Sequence, residues 1–111
     1  MSINKQKLEE IMLDLGHAEN LLGTGYLRHG VELYDHGMRR MTKELYPAIA
    51  EMTGSTPTRV ERAMRHSIET AWDRGSEVTQ LQYFGWSVNP DKGAPTVGEY
   101  VARMARVCHE D

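Results

Sequence analysis

Apolar residues return every three or four positions through most of this chain, and each such run predicts a helix. Leu8, Ile11, Met12 and Leu15 mark the first, over about residues 5–15, with Gly16 ending it. A loop containing Gly23 and Gly25 is expected next. The second helix should run from about 24 to 36, with Leu27, Val31 and Tyr34 inward and Gly37 at its end. A third, about 38–53, would use Met41, Leu45, Ile49 and Met52. Pro47 falls inside that span and removes a backbone hydrogen bond, so the helix either kinks there or begins again. In the fourth, Val60, Ala63, Met64, Ile68, Ala71 and Trp72 form one stripe. Thr56 can cap its start, Pro57 suits its first turn and Gly75 its end. Ser76 can cap a short fifth helix through Leu81 to Phe84, and an irregular segment spans 85–95. Thr96 with Glu99 makes a capping box that opens a last helix, with Val97, Tyr100, Val101 and Met104 in the core. No strand candidate exceeds residues 83–88. The class is all-α: a six-helix, bundle-like domain.

The polar face of the fourth helix changes this picture. Thr58, Arg62, Arg65, His66 and Glu69 lie opposite the apolar stripe, with Arg59 and Glu61 on the flanks. The stretch just before it, Leu45 to Gly54, fits the first helix of a helix-turn-helix. Ala50 is small where two crossing helices must approach closely. Gly54, four residues later, suits a left-handed turn. Val60, six beyond that, would pack the second helix back on the first. In this geometry the N-terminal half of the second helix faces the DNA major groove.

Charge localises the expectation. With 111 residues the chain is one domain, 1–111, and its net charge of −3 does not advertise nucleic-acid binding. Yet three arginines stand against one glutamate between Thr56 and His66, and Arg39, Arg40 and Lys43 cluster just upstream. Acid is concentrated in the first helix and at the C-terminus. The pattern predicts a dipolar molecule that binds through one face. Cys108 is the single cysteine, so no intrachain disulfide is possible. No leader or apolar span stands out, which predicts a cytoplasmic protein with no membrane partner.

Other chemistry finds little support. His17, His29, His36, His66 and His109 are scattered, without the spacing of a metal-ligand set. Gly23-Thr24-Gly25 lacks the lysine and preceding strand of a phosphate loop. Ser67 and His66 are neighbours in sequence and point apart on a helix. Neither a cofactor nor an enzyme is expected. Trp72, Tyr34, Tyr46 and Tyr100 fall at core spacing. Tyr83, Phe84 and Trp86 either close the core over the fourth helix or offer an apolar patch to a protein partner.

From Thr42 to Gly75 the chain carries T-K-x-L-Y-P-x-I-A and then R-V-E-R-A-x-R-H-x-I-E-x-A-W-x-R-G. In these motifs it resembles the C-terminal effector domain of stage 0 sporulation protein A, a sporulation response regulator. Weaker likeness extends to Leu15-Gly16, the stretch from Gly25 to Val31, Phe84-Gly85 and Pro95-Thr96. The resemblance implies six helices with a helix-turn-helix, binding to short DNA boxes that often occur in tandem, and control of transcription. It implies base contacts from Glu61, Arg62 and Arg65, with guanine for the arginines and cytosine for the glutamate. Phosphate contacts would come from Lys43, Ser55, Thr58, Arg59 and His66. It also implies, more loosely, a contact with RNA polymerase sigma factor along Gln80 to Val88, and self-association on tandem sites.

Two departures qualify it. The family's regulators carry a receiver domain, whereas the residues before the helix pair here belong to the effector domain. Either a piece of a longer regulator or a natural stand-alone domain is therefore expected, and in the second case the phosphorylation switch is absent or supplied by another chain. Secondly, Ala94 stands before Pro95, where the family often has a lysine, so one backbone contact is expected to be missing. The acidic net charge and the missing lysine leave room for a rival reading: a stand-alone protein-interaction module that pairs with a full-length regulator, or with RNA polymerase, and modulates it.

Overall fold

The computed structural model describes residues 2–85 and 93–109. Among them lie six α-helices: α1 (Lys5–Asp14), α2 (Leu22–Asp35), α3 (Tyr46–Thr53), α4 (Pro57–Arg74), α5 (Glu77–Phe84) and α6 (Val97–Cys108). The class is all-α, as the periodicity predicts. The only strand-like feature described is one bridge between Ile3 and His109, beside a hydrogen bond from the Asn4 N–H to the Cys108 carbonyl.

Side-chain caps set four of the six described helix starts. Asn4 accepts from the Lys7 N–H, and Thr56 from the Arg59 N–H at 3.2 Å. Ser76 accepts from the Val78 and Thr79 N–H groups. The box at α6 is complete: Thr96 Oγ1 accepts from the Glu99 N–H, and Glu99 Oε1 from the Thr96 N–H.

The start of α2 differs from expectation. It lies at Leu22, so Gly23 and Gly25 sit inside the helix and not in a loop. Packing explains Gly23. A Cβ on that glycine would lie 1.8 Å from the Ala63 carbonyl oxygen of α4, so no other residue lets these two helices approach so closely. α2 and α4 form the most extensive helix pair, and α6 lies against α2.

The third element also departs from prediction. Residues 38–40 are not helical, and Met41–Leu45 form a single π turn before α3. Pro47 is the physical cause. It lacks an N–H, and in an unbroken α-helix its ring would strike the carbonyl four residues back. The preceding N–H groups reach five residues back instead: Leu45 to the Arg40 carbonyl at 2.9 Å, and Tyr46 to that of Met41. The helix begins again, and Pro47 sits harmlessly in its first turn. Met52, expected in the core, is 56% exposed. It lies roughly 110° around the helix from the middle of the face that Tyr46, Ile49 and Ala50 bury.

The α4 stripe packs largely as predicted. Val60, Met64, Ile68 and Ala71 are buried, and Ala63 and Trp72 half-buried. Leu8, Ile11, Met12, Leu15, Leu27, Val31, Val97, Tyr100, Val101 and Met104 complete the core with it. Tyr34 is only half-buried. Phe84 meets Trp72 edge-on at 5.1 Å and lies 5.5 Å from Tyr100, closing the core behind α4. Trp86, expected in the same cluster, lies outside the described residues. Gly75 ends α4, but with an extended backbone and not a left-handed one. Its requirement is space, since a Cβ there would lie 2.5 Å from the Leu15 carbonyl oxygen. Among the described residues no helix is long and apolar enough to cross a membrane.

Candidate nucleic-acid interface

The helix-turn-helix consists of α3, a turn through Gly54 and Ser55, and α4. Gly54 adopts φ 71°, ψ 30°, and its N–H together with that of Ser55 bonds the Ala50 carbonyl. Ala50 on α3 and Val60 on α4 are both buried, as their spacing predicts. Thr56 caps the start of α4: its Oγ1 accepts from the Arg59 N–H and its carbonyl from the Val60 N–H, while Pro57 has no N–H to satisfy.

On α4 the structure brings most of the predicted contact residues onto one outward surface. Thr58, Arg59, Arg62, Arg65 and His66 are exposed, and Glu61 is half-buried. Ser55 is half-buried in the turn, and Lys43 stands exposed on the π turn that precedes α3. Arg39, of the upstream basic cluster, is drawn elsewhere: its guanidinium lies 4.0 Å over the Tyr34 ring.

Glu61 and Arg65 are not independent. Glu61 Oε1 lies 3.5 Å from Arg65 Nε, one helical turn away. The bond uses the side of the guanidinium and leaves its terminal nitrogens for another acceptor. Arg62 forms no ion pair among the described residues. Tyr46, expected as core alone, lines a groove with Glu61 and Arg65. Burial raises its phenol pKa and the Glu61 carboxylate adds to the rise, while Arg65 opposes it. Tyr46 is therefore a neutral hydroxyl beside two charges.

Beneath this face lies a polar arrangement that sequence reading missed. Ser67 and His17 are both buried, with Ser67 Oγ 2.8 Å from His17 Nδ1. Ser67 Oγ is also 2.9 Å from Thr24 Oγ1, which donates to the Ala18 carbonyl at 2.8 Å. On the far side of the ring, His17 Nε2 is 2.7 Å from the Tyr100 hydroxyl. Directions follow from the inventory of protons. Thr24 spends its proton on the carbonyl, so Ser67 donates to Thr24. Ser67 then accepts from the Nδ1–H of His17, and Nε2 accepts from Tyr100. The imidazole is neutral, and burial lowers its pKa to about 4, with the positive charge of Arg28 acting in the same sense. Ser67 had a signal in its spacing, three residues after Met64 and four before Ala71. His17 follows a helix-ending glycine and had none.

Of the segment Gln80 to Val88, Gln80 and Phe84 are buried, and Gln80 Nε2 donates to the Trp72 carbonyl. Leu81 is exposed, with Val78 one turn before it. Residues 86–88 lie outside the described residues, as do Asp91 and Lys92 of the departure that ends at Ala94; Ala94 itself is half-buried. Among the described residues no group of three His, Cys, Asp or Glu side chains could hold a metal ion.

A family model described as sporulation initiation factor Spo0A C terminal matches residues 8–107, nearly the whole chain.

Proposed function

Because the chain belongs to that family of DNA-binding regulatory domains, we propose that it binds double-stranded DNA sequence-specifically, with α4 in the major groove, and so regulates transcription. The carrying observation is the two-sided character of α4. Its buried stripe is locked into the core, and Arg62 and Arg65 stand exposed on the other side behind a left-handed turn. In this reading Arg62 and Arg65 donate to guanine O6 and N7, and Glu61 accepts from cytosine N4. Lys43, Ser55, Thr58, Arg59 and His66 take phosphates and set the register. Copies on tandem sites would add affinity without new base contacts.

Binding to duplexes bearing the family's DNA box and to a scrambled control, at two salt concentrations, tests this. Preference for the box that persists in added salt supports base readout. Equal, salt-sensitive binding to both leaves phosphate contact alone. No binding to either overturns the reading.

Exposed apolar residues on α5 favour a second, compatible role. Val78 is 75% and Leu81 46% exposed, one turn apart. We propose that this face of α5 meets a protein partner, RNA polymerase or a full-length regulator. Charged replacements of both residues should then reduce transcriptional output and leave DNA affinity unchanged.

A further inference from the structure

Of the buried residues of α4, Ser67 alone is polar. The apolar contacts hold the helix against the core but have little directional preference. A hydrogen bond does fix an angle. Arg65 lies two residues before Ser67, about 200° around the helix, so the buried anchor sits nearly opposite a predicted base contact. Turning α4 by about 10° would swing a group at the helix rim, about 5–6 Å from the axis, by about 1 Å. A bidentate contact with a base edge does not survive such a shift.

We propose that His17 is a positioning residue for α4. Its bond to Ser67 fixes the rotation of the helix about its own axis, and with it the aim of Arg62 and Arg65. The ring suits the task because both its nitrogens are engaged at 2.8 and 2.7 Å, by α4 on one side and α6 on the other. The line of bonds runs one way, from Tyr100 through His17, Ser67 and Thr24 to the Ala18 carbonyl. α4 is thereby referenced to α2, α6 and the segment between α1 and α2 at once. The consequence for DNA rests on the function proposed above; the positioning itself does not.

Two substitutions separate the halves of the ring. His17→Asn keeps a donor near the Nδ1 position and so keeps the bond to Ser67. His17→Gln reaches the Nε2 position and keeps only the Tyr100 side. Ser67→Ala removes the anchor from α4 by a single oxygen, and serves where His17→Gln does not fold. Each full-length variant is measured for its preference between the box duplex and the scrambled duplex. In the DNA-free protein, residual dipolar couplings of the α4 amides report the helix orientation. His17→Asn should keep the preference within about twofold, while His17→Gln and Ser67→Ala lose about tenfold and show a rotated α4. Folded His17→Gln and Ser67→Ala proteins with unchanged α4 couplings would overturn the proposal, whatever their DNA affinity. A wild-type chain that prefers no duplex would sink the DNA reading instead, and the couplings would still decide the positioning.

Discussion

Gly23 of α2 faces the backbone of Ala63 on α4 with no room for a side chain: a Cβ there would lie 1.8 Å from the Ala63 carbonyl oxygen and 2.4 Å from its carbonyl carbon. Backbone cannot yield as a flexible side chain does, so Gly23→Ala must push the two helices apart. Overpacking of this kind costs about 1–3 kcal/mol, more than the helix propensity gained. Gly25, also inside α2, has open space where its Cβ would be. Gly25→Ala should therefore stabilise by about 0.5–1 kcal/mol. Urea unfolding midpoints of the two variants should move in opposite directions from wild type.

Acid should loosen the same region through His17. Its pKa falls from 6.5 to about 4 on folding, chiefly through burial. Above pH 6.5 neither folded nor unfolded chain holds this proton, and the stability is fully present. As pH falls from 6.5 towards 4, the unfolded chain takes up a proton that the native ring refuses. Stability then declines by up to about 1.4 kcal/mol per pH unit and levels off below the folded pKa. Urea midpoints across this window should show the decline in wild type. Subtracting those of His17→Asn, which cannot titrate there, isolates it from the carboxylates.

These two contacts also show where sequence reading stopped. The limits of α4 were legible because Thr56, Pro57 and Gly75 are local signals, and its buried stripe because period and burial agree. The helix-turn-helix was legible from Ala50, Gly54 and Val60 for the same reason. The local preference of Gly23 points to a loop, because it says nothing of the helix that lies against it. Pro47 announced a break, but the π turn that resolves it depends on which carbonyls lie within reach. The link from His17 to Ser67 spans fifty residues and joins polar side chains with no periodic signature. On the outward face of α4, side-chain types and spacing sufficed to name candidates. The Glu61–Arg65 pairing and the place of Tyr46 beside it came only with the structure.

Arg62 and Glu61 should separate base reading from phosphate binding. Arg62→Ala is expected to cost about 1–3 kcal/mol of binding free energy and to relax preference at one base pair. A uniform loss across all duplexes would make Arg62 a phosphate contact. Glu61→Gln removes a negative charge from the surface and weakens the hold on the Nε edge of Arg65. Affinity for scrambled DNA should rise while discrimination at the cytosine that the proposal assigns to Glu61 falls. Competition binding against duplexes varied one base pair at a time measures both.

Lys43 tests the other half of the interface. It stands exposed on the π turn that precedes α3 and not on α4 itself. As a phosphate contact it would release about one counterion on binding. Lys43→Ala should then weaken binding to box and scrambled duplexes by the same factor. The slope of log K against log salt should become shallower by about 0.9. The effect is distinguishable from lost stability, because an exposed lysine without an ion pair among the described residues contributes little to folding. A change in the ratio between the two duplexes, with the salt slope unmoved, would instead place Lys43 in the machinery that reads sequence.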